Sequence, residues 1–280
     1  MKKSINFWSF APGTTVEQGI RLAKAAGFAG IELAMAETGL SGLEQTDAVK
    51  QARQIADSEG VALPSLACGL CWDYLLTSTL AEKRQKAKDM IRRQVDMAAE
   101  LGADTILVLP GAVGVDFLNG NHELLPYDKA YEVSLESFLE LASHAEQAEV
   151  CLGIENVWNK FLLSPLELRD FIDKINSPFV GSYFDVGNVV LTGYPEQWVR
   201  VLGNRIKKVH FKDYRRDPGG FNCFCDLLSG DVDYPAVVSA LEEVGYDGYC
   251  AAEMIPNYRH YSSQTIYNAS ASMDRILQER

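Results

Sequence analysis

Eight short apolar runs recur along the chain, each followed by a stretch with helical hydrophobic spacing. The runs are "SINFWSF" (4–10), "GIELAM" (30–35), "VALPSLA" (61–67), "DTILVLP" (104–110), "VCLGIEN" (150–156), "VGSYFDV" (180–186), "IKKVHFKD" (206–213) and "YCAAEM" (249–254). They are continuous rather than alternating, the pattern of parallel strands buried on both faces. Residues 80–101 place Leu80, Ala87, Ile91, Ala98 and Leu101 at helical intervals among charged residues. Residues 234–245 do the same with Val237, Leu241 and Val244, and stop at Gly245. "AAGFAGIEL", "AELGADTILVL" and "LEEVGYDGYCAAE" share one grammar: helix end, glycine, short link, strand.

Eight such units average about 35 residues each, enough for a strand, a helix and two loops. The closed solution for eight βα units is a (β/α)8 barrel, which predicts one domain over residues 1–280. A doubly wound open sheet would carry a G-x-G-x-x-G turn after its first strand, whereas this chain reads "APGTT" there. The long loops predicted at 111–126 and 214–233 belong to the active site of such a barrel.

Composition adds limits. At 47% hydrophobic and 23% charged residues the chain has an ordinary globular make-up. A formal charge of −12 argues against nucleic acid or an anionic membrane as a partner. No secretory apolar region precedes Pro12 and no run of about 18 apolar residues occurs, so a cytoplasmic location is expected. Six cysteines supply no disulfide framework. "CGLC" (68–71) and "CFC" (223–225) lack the second ligand pair that a structural metal site needs. His144 and His260 read as loop or helix-surface residues, as does His122, although its place in the long 111–126 loop makes an approach to a substrate an expectation to test.

Charged residues inside apolar strands change the picture most. Glu155, Asp185, His210 and Glu253 fall late in, or just after, four consecutive strands of the second half, spaced 30, 25 and 43 residues apart. Strand polarity brings all four to the C-terminal face of a barrel. Three carboxylates and an imidazole converging there require a counter-charge, since burying a lone carboxylate costs several kcal/mol. One divalent cation meets the requirement. Oxygen-rich ligation with one nitrogen suits Mn²⁺, Mg²⁺ or Co²⁺, and Zn²⁺ is compatible with it.

At these residues the chain resembles the xylose isomerase-like barrel family, in its sugar-phosphate isomerase/epimerase branch. The resemblance rests on "GIENVWNKFLLSPLE" (153–167), "YFDVGNV" (183–189), "RIKKVHFKD" (205–213) and "GDVDYPAVVSALEEVGYDGYCAAEM" (230–254). It implies that Glu155, Asp185, His210 and Glu253 hold one divalent metal. It also implies that Glu155 and Glu253 perform the proton transfers of a ketose or ketose-phosphate 3-epimerase through a metal-stabilised enediolate. Arg216, with Arg215 beside it, stands where related epimerases place a substrate-contacting arginine. Lys212 shares the inward parity of His210 and is expected to touch substrate, and Asp213 to support the ligands. "NKF" (159–161) is similar to the family's N-R-F, with Lys160 in place of the arginine and Leu162 where free-ketose epimerases carry Glu. Trp158, Trp8 and Phe7 are expected to wall the sugar. Asn188, where many relatives carry His in D-x-G-H, is expected to orient a hydroxyl, with Gly187 freeing the chain to turn. The implied partner is a small sugar or sugar phosphate, and the implied assembly a homodimer or homotetramer. An inosose-type dehydratase, a non-catalytic sugar-binding barrel and an abasic-site nuclease are the rivals. The nuclease is disfavoured by only four histidines and by the acidic charge.

Overall fold

The computed structural model describes residues 1–117 and 125–278. Eight parallel strands close into a barrel. They are β1 (Lys2–Asn6), β2 (Gly30–Met35), β3 (Leu66–Cys68), β4 (Thr105–Val108), β5 (Cys151–Glu155), β6 (Val180–Asp185) and β7 (Ile206–Phe211). After a small antiparallel ribbon of β8 (Asp213–Tyr214) and β9 (Phe224–Cys225), β10 (Tyr249–Ala252) completes the ring by pairing with β1 from Lys2–Tyr249 to Ile5–Ala252. The helices α1 (Val16–Ala25), α2 (Ala48–Glu59), α3 (Ala81–Leu101), α4 (Tyr127–Ala148), α5 (Pro165–Ile175), α6 (Pro195–Leu202), α7 (Tyr234–Glu243) and α8 (Ser262–Gln278) alternate with the barrel strands. This is the expected (β/α)8 architecture, and all eight apolar runs supply a barrel strand.

The strands are buried because helices cover the sheet's outer face while its own side chains fill the interior. Ile5, Ile31, Leu33, Ile106, Leu152 and Phe184 are fully buried, each contributing about 1.5–3 kcal/mol. Helix starts are marked by side chains that satisfy orphan N–H groups. Thr15 and Gln18 form a capping box on α1, Ser164 caps α5, and Asp233 caps α7.

Boundaries differ from the expectation where local chemistry stops the ladder. The first strand ends at Asn6 rather than residue 10, because the Asn6 carboxamide accepts from the Trp8 N–H at 2.7 Å and starts a 3-10 turn. The third begins at Leu66 rather than Val61, with Pro64, which lacks an N–H, in the segment before it.

The loop 214–233 carries the β8–β9 ribbon and is pinned by one buried carboxylate. Asp213 accepts from the backbone N–H groups of Tyr214, Leu228, Gly230 and Val232 at 2.8–3.2 Å. Gly230 is required by this clasp, since a Cβ there would lie 2.1 Å from Asp213 Oδ1. Asp213 therefore acts on the loop's backbone.

Candidate active site

At the C-terminal end of the barrel the second-half strands deliver four side chains to one point. Glu155 and Asp185 end β5 and β6, His210 is the penultimate residue of β7, and Glu253 follows β10. Asp185 pairs in register with His210 across β6 and β7. One ligand atom from each of the four lies within 4.8 Å of the others, and all four residues are buried. From His210 Nδ1, Glu155 Oε1 and Glu253 Oε2 are each 3.7 Å away and Asp185 Oδ2 is 4.0 Å away.

Each group is aimed by neighbours. Glu253 follows the pairing of its own N–H with Phe211 O (3.0 Å), and Ser9 Oγ bridges Ala252 O and the Met254 N–H on either side of it. Asp185 Oδ1 accepts from the Asn188 N–H at 2.8 Å. The Asn156 carboxamide clamps the Asp185 backbone, donating to its carbonyl (2.7 Å) and accepting from its N–H (2.9 Å). Gly187 serves close approach rather than a free turn: a Cβ there would meet the Lys212 carbonyl oxygen at 2.8 Å.

One layer deeper lies a polar network that the strand-end pattern does not reveal. Glu32, fully buried in β2, receives Asn6 Nδ2 (2.5 Å), Ser65 Oγ (2.6 Å) and the Tyr183 hydroxyl, and faces His210 Nε2 at 2.8 Å. The signal is a carboxylate in the middle of "GIELAM". With Nε2 directed at Glu32, Nδ1 is the imidazole atom left for the cluster, the arrangement in which a carboxylate fixes the tautomer of a metal-binding histidine.

The electrostatics follow from this crowding. Burial, reinforced by Glu253 and Glu155, pushes the Asp185 carboxyl up to about 8 in spite of Lys212 and His210. Burial also raises Glu155, with Glu253 adding to it. Glu253 is held below the usual carboxylate range: burial would raise it, but Lys212 and His210 outweigh that. Burial alone would depress His210, yet Glu32, Glu155 and Glu253 carry its pKa well above the ordinary value.

The donor set fits a divalent cation. His210 Nδ1 and Asp185 Oδ2 are buried without any hydrogen-bond partner. Unsatisfied buried polar atoms of this kind cost about 1–3 kcal/mol each. An ion between the four residues would satisfy both, and three carboxylates with one imidazole suit Mn²⁺, Mg²⁺ or Co²⁺.

A cavity of about 230 Å³ opens above the cluster, lined by Glu155 and Glu253, Lys212, Asn188, Trp158 and Trp8 among others. Lys212 donates to Glu253 Oε2 at 2.7 Å, lies 3.8 Å from Asp185 Oδ2, and sits over the Phe224 ring. Asn188 commits its Nδ2 to Asn156 O (3.0 Å), and its carbonyl accepts from the Trp158 indole (2.8 Å). Cys68 also lines this cavity, an exposure to the site that its motif alone does not show.

The other residues singled out in the sequence lie off this cavity or outside the described residues, His144 and His260 at the surface as expected. Phe7 packs in the core against Phe10. Lys160 lies on the wall of a second, adjoining cavity, 2.6 Å from Asp116. Arg216 lies outside the lining of both cavities, donating to Val190 O (3.0 Å) with its guanidinium 5.4 Å from the Tyr194 ring. Arg215 is directed to Ser229 O. His144 pairs with Asp96 on the helical surface, His260 is exposed, and His122 lies outside the described residues.

A closed eight-stranded α/β barrel with a buried carboxylate–imidazole centre at its C-terminal end defines the class of protein. The family model described as xylose isomerase-like TIM barrel matches residues 20–275, and the chain belongs to that family. Among curated relatives, it is 26% identical over 239 residues to L-ribulose-5-phosphate 3-epimerase UlaE of Shigella flexneri serotype 5b, covering 84% of this chain and 80% of that one. It is 28% identical over 218 residues to 2-epi-5-epi-valiolone 7-phosphate 2-epimerase of an Actinoplanes species, covering 76% and 72%. The crystal structure of a D-tagatose 3-epimerase-like protein superposes with a TM-score of 0.81 at 19% identity, over 99% of this chain and 97% of that one. Among the described residues no helix is long and apolar enough to cross a membrane.

Proposed function

We propose that the protein is a divalent-metal-dependent sugar epimerase or isomerase, acting on a ketose or on a ketose substituted, as by phosphate, at the end remote from its carbonyl. The observation that carries this reading is the pairing of two glutamates with a buried site fit for a cation. Glu155, Asp185, His210 and Glu253 would hold the ion, which supplies positive charge to polarise a carbonyl and acidify the neighbouring C–H. The curated relatives are epimerases by name, which supports the same class of reaction.

The rest is done by the chain's own residues. Glu155 and Glu253 flank the centre, since β6 and β7 stand between β5 and β10 in the barrel order. A substrate carbon between them meets a carboxyl on each side. One carboxylate removes the proton next to the carbonyl, and the other returns a proton to the opposite face, which inverts that carbon. Lys212 holds the Glu253 carboxylate through its 2.7 Å hydrogen bond, and Trp158 and Trp8 wall the cavity above. Asn188 shapes the floor between them.

The test is solvent exchange. Protein reconstituted with Mn²⁺ is incubated in D2O with ketoses, substituted ketoses and inososes, and deuterium is located by NMR. Label at C3 is expected; label at C1 or C2 would indicate aldose–ketose isomerisation, and loss of water a dehydratase. Glu155→Gln and Glu253→Gln should each lower exchange by about 10²–10⁴-fold. Full turnover in either variant would remove the proton-transfer assignment.

A further inference from the structure

Beside the catalytic cavity lies a larger one of about 480 Å³, formed by the loops after β5, β6 and β7 together with Asp116 and Phe117. The two share Phe117, Val157, Trp158, Asn188 and Phe221, so a molecule seated over Glu155 and Glu253 extends directly into the second space. Its walls are apolar: Trp158, Phe161, Leu163, Leu191, Trp198 and Phe221 dominate. Leu163, Leu191 and Phe221 are 63%, 43% and 44% exposed, so three loops each hold a large apolar side chain against water at one rim. Such clustered exposure marks a binding surface.

Among the described residues, the lysine, the carboxamides and the Trp158 indole on the same wall are already engaged, which leaves the Thr192 hydroxyl among its side-chain donors. Lys160, the cation on this wall among the described residues, pairs with Asp116. Asn156 and Asn188 hold Asp185 and each other, and the Trp158 indole N–H is taken by Asn188 O. A phosphate is recognised by several charge-assisted donors, and among the described residues this wall offers one lysine, already paired, and one neutral hydroxyl. A bare polyol would bury more hydroxyls than this wall can pair, at a cost that an apolar group avoids.

We infer that the substrate is a polyhydroxy carbonyl compound bearing an apolar, aryl-sized substituent remote from the carbonyl, and that the 480 Å³ cavity receives this substituent in place of a phosphate. The volume is in the range of small-molecule pockets and suits a ring system rather than a methyl group. The inference rests on the epimerase reading for the polar half of the substrate and on the cavity alone for the apolar half.

Titration calorimetry on Mn²⁺-loaded protein tests it with 6-O-benzyl-D-fructose, D-fructose and D-fructose 6-phosphate. The benzyl ether should bind at least tenfold more tightly than either of the others. Leu163→Asp combined with Leu191→Asp, both on the exposed rim, should erase that preference and leave D-fructose binding unchanged. Tighter binding of the phosphate, equal affinities, or no measurable binding by any of the three would overturn the inference. So would a dimer that the double variant dissolves while the order of affinities persists, because the rim would then belong to a second copy. If the benzyl preference holds but no compound exchanges its C3 proton in D2O, the inference stands and the epimerase reading alone fails.

Discussion

Glu32 is the residue on which the imidazole of the centre depends. Burial alone would raise its pKa, but the His210 charge and hydrogen bonds from His210, Ser65 and Tyr183 hold it below the usual carboxylate range. It thus presents a negative charge to Nε2 from inside the barrel. Glu32→Gln would keep the shape and lose that charge, and with it the preference for a free Nδ1. Metal affinity, measured by calorimetry with Mn²⁺, should fall about 10–100-fold; wild-type affinity in this variant would reduce Glu32 to packing. The four strand-end residues are legible in sequence because each interrupts an apolar run at the interval of one or two βα units. Asn6, Glu32, Ser65 and Tyr183 are not, because they come from β1, β2, the segment just before β3, and β6, and converge only when the barrel closes. Lys160 and Arg216 are legible as residue types but not in direction. Lys160 takes a left-handed backbone, φ 54°, and turns to Asp116, an orientation fixed by loop geometry.

The loop between β5 and α5 is shaped by a clasp between elements. The Tyr127 hydroxyl on α4 donates to both carboxylate oxygens of Glu167 on α5 (2.7 and 2.8 Å) and accepts from the Leu162 N–H, while Glu167 also accepts from the Leu163 N–H. Leu162, like Lys160, has a positive φ, and the clasp helps to hold it there. Burial, with Glu167 beside it, pushes the Tyr127 phenol up to about 12. The folded state therefore keeps a proton that the unfolded chain releases near pH 10, so this stabilisation is complete below about pH 10 and is lost as pH rises through about 12. Tyr127→Phe should lower the melting midpoint at neutral pH by about 2–4 °C, the shift that roughly 1 kcal/mol gives. It should also flatten the alkaline loss of stability, read as urea midpoints across that range. A slope unchanged from wild type would place the alkaline transition elsewhere. Element order and type were readable from hydrophobic period, whereas the clasp joins residues 40 apart through a phenol that pattern reading treats as core.

For the whole molecule, the candidate centre draws together four of the eight barrel strands. An ion bound only by the folded chain stabilises it by mass action, about 2.7 kcal/mol when its free concentration is 100 times Kd. Mn²⁺ should therefore raise the melting temperature in a concentration-dependent way, a chelator should reverse the rise, and Asp185→Asn should abolish most of it. A wild-type rise in that variant would show that the ion stabilises the fold from another place. The Asp213 clasp has a separate consequence for how this molecule can change. By fastening Tyr214 to residues 228–232, it closes the long excursion between them at its base, independently of the residues at the tip. Doubling a flexible loop then adds only about 0.6 kcal/mol. The segment around Phe221 can therefore be lengthened or exchanged at small cost to the barrel, which makes the proposed substrate specificity separable from the barrel's stability.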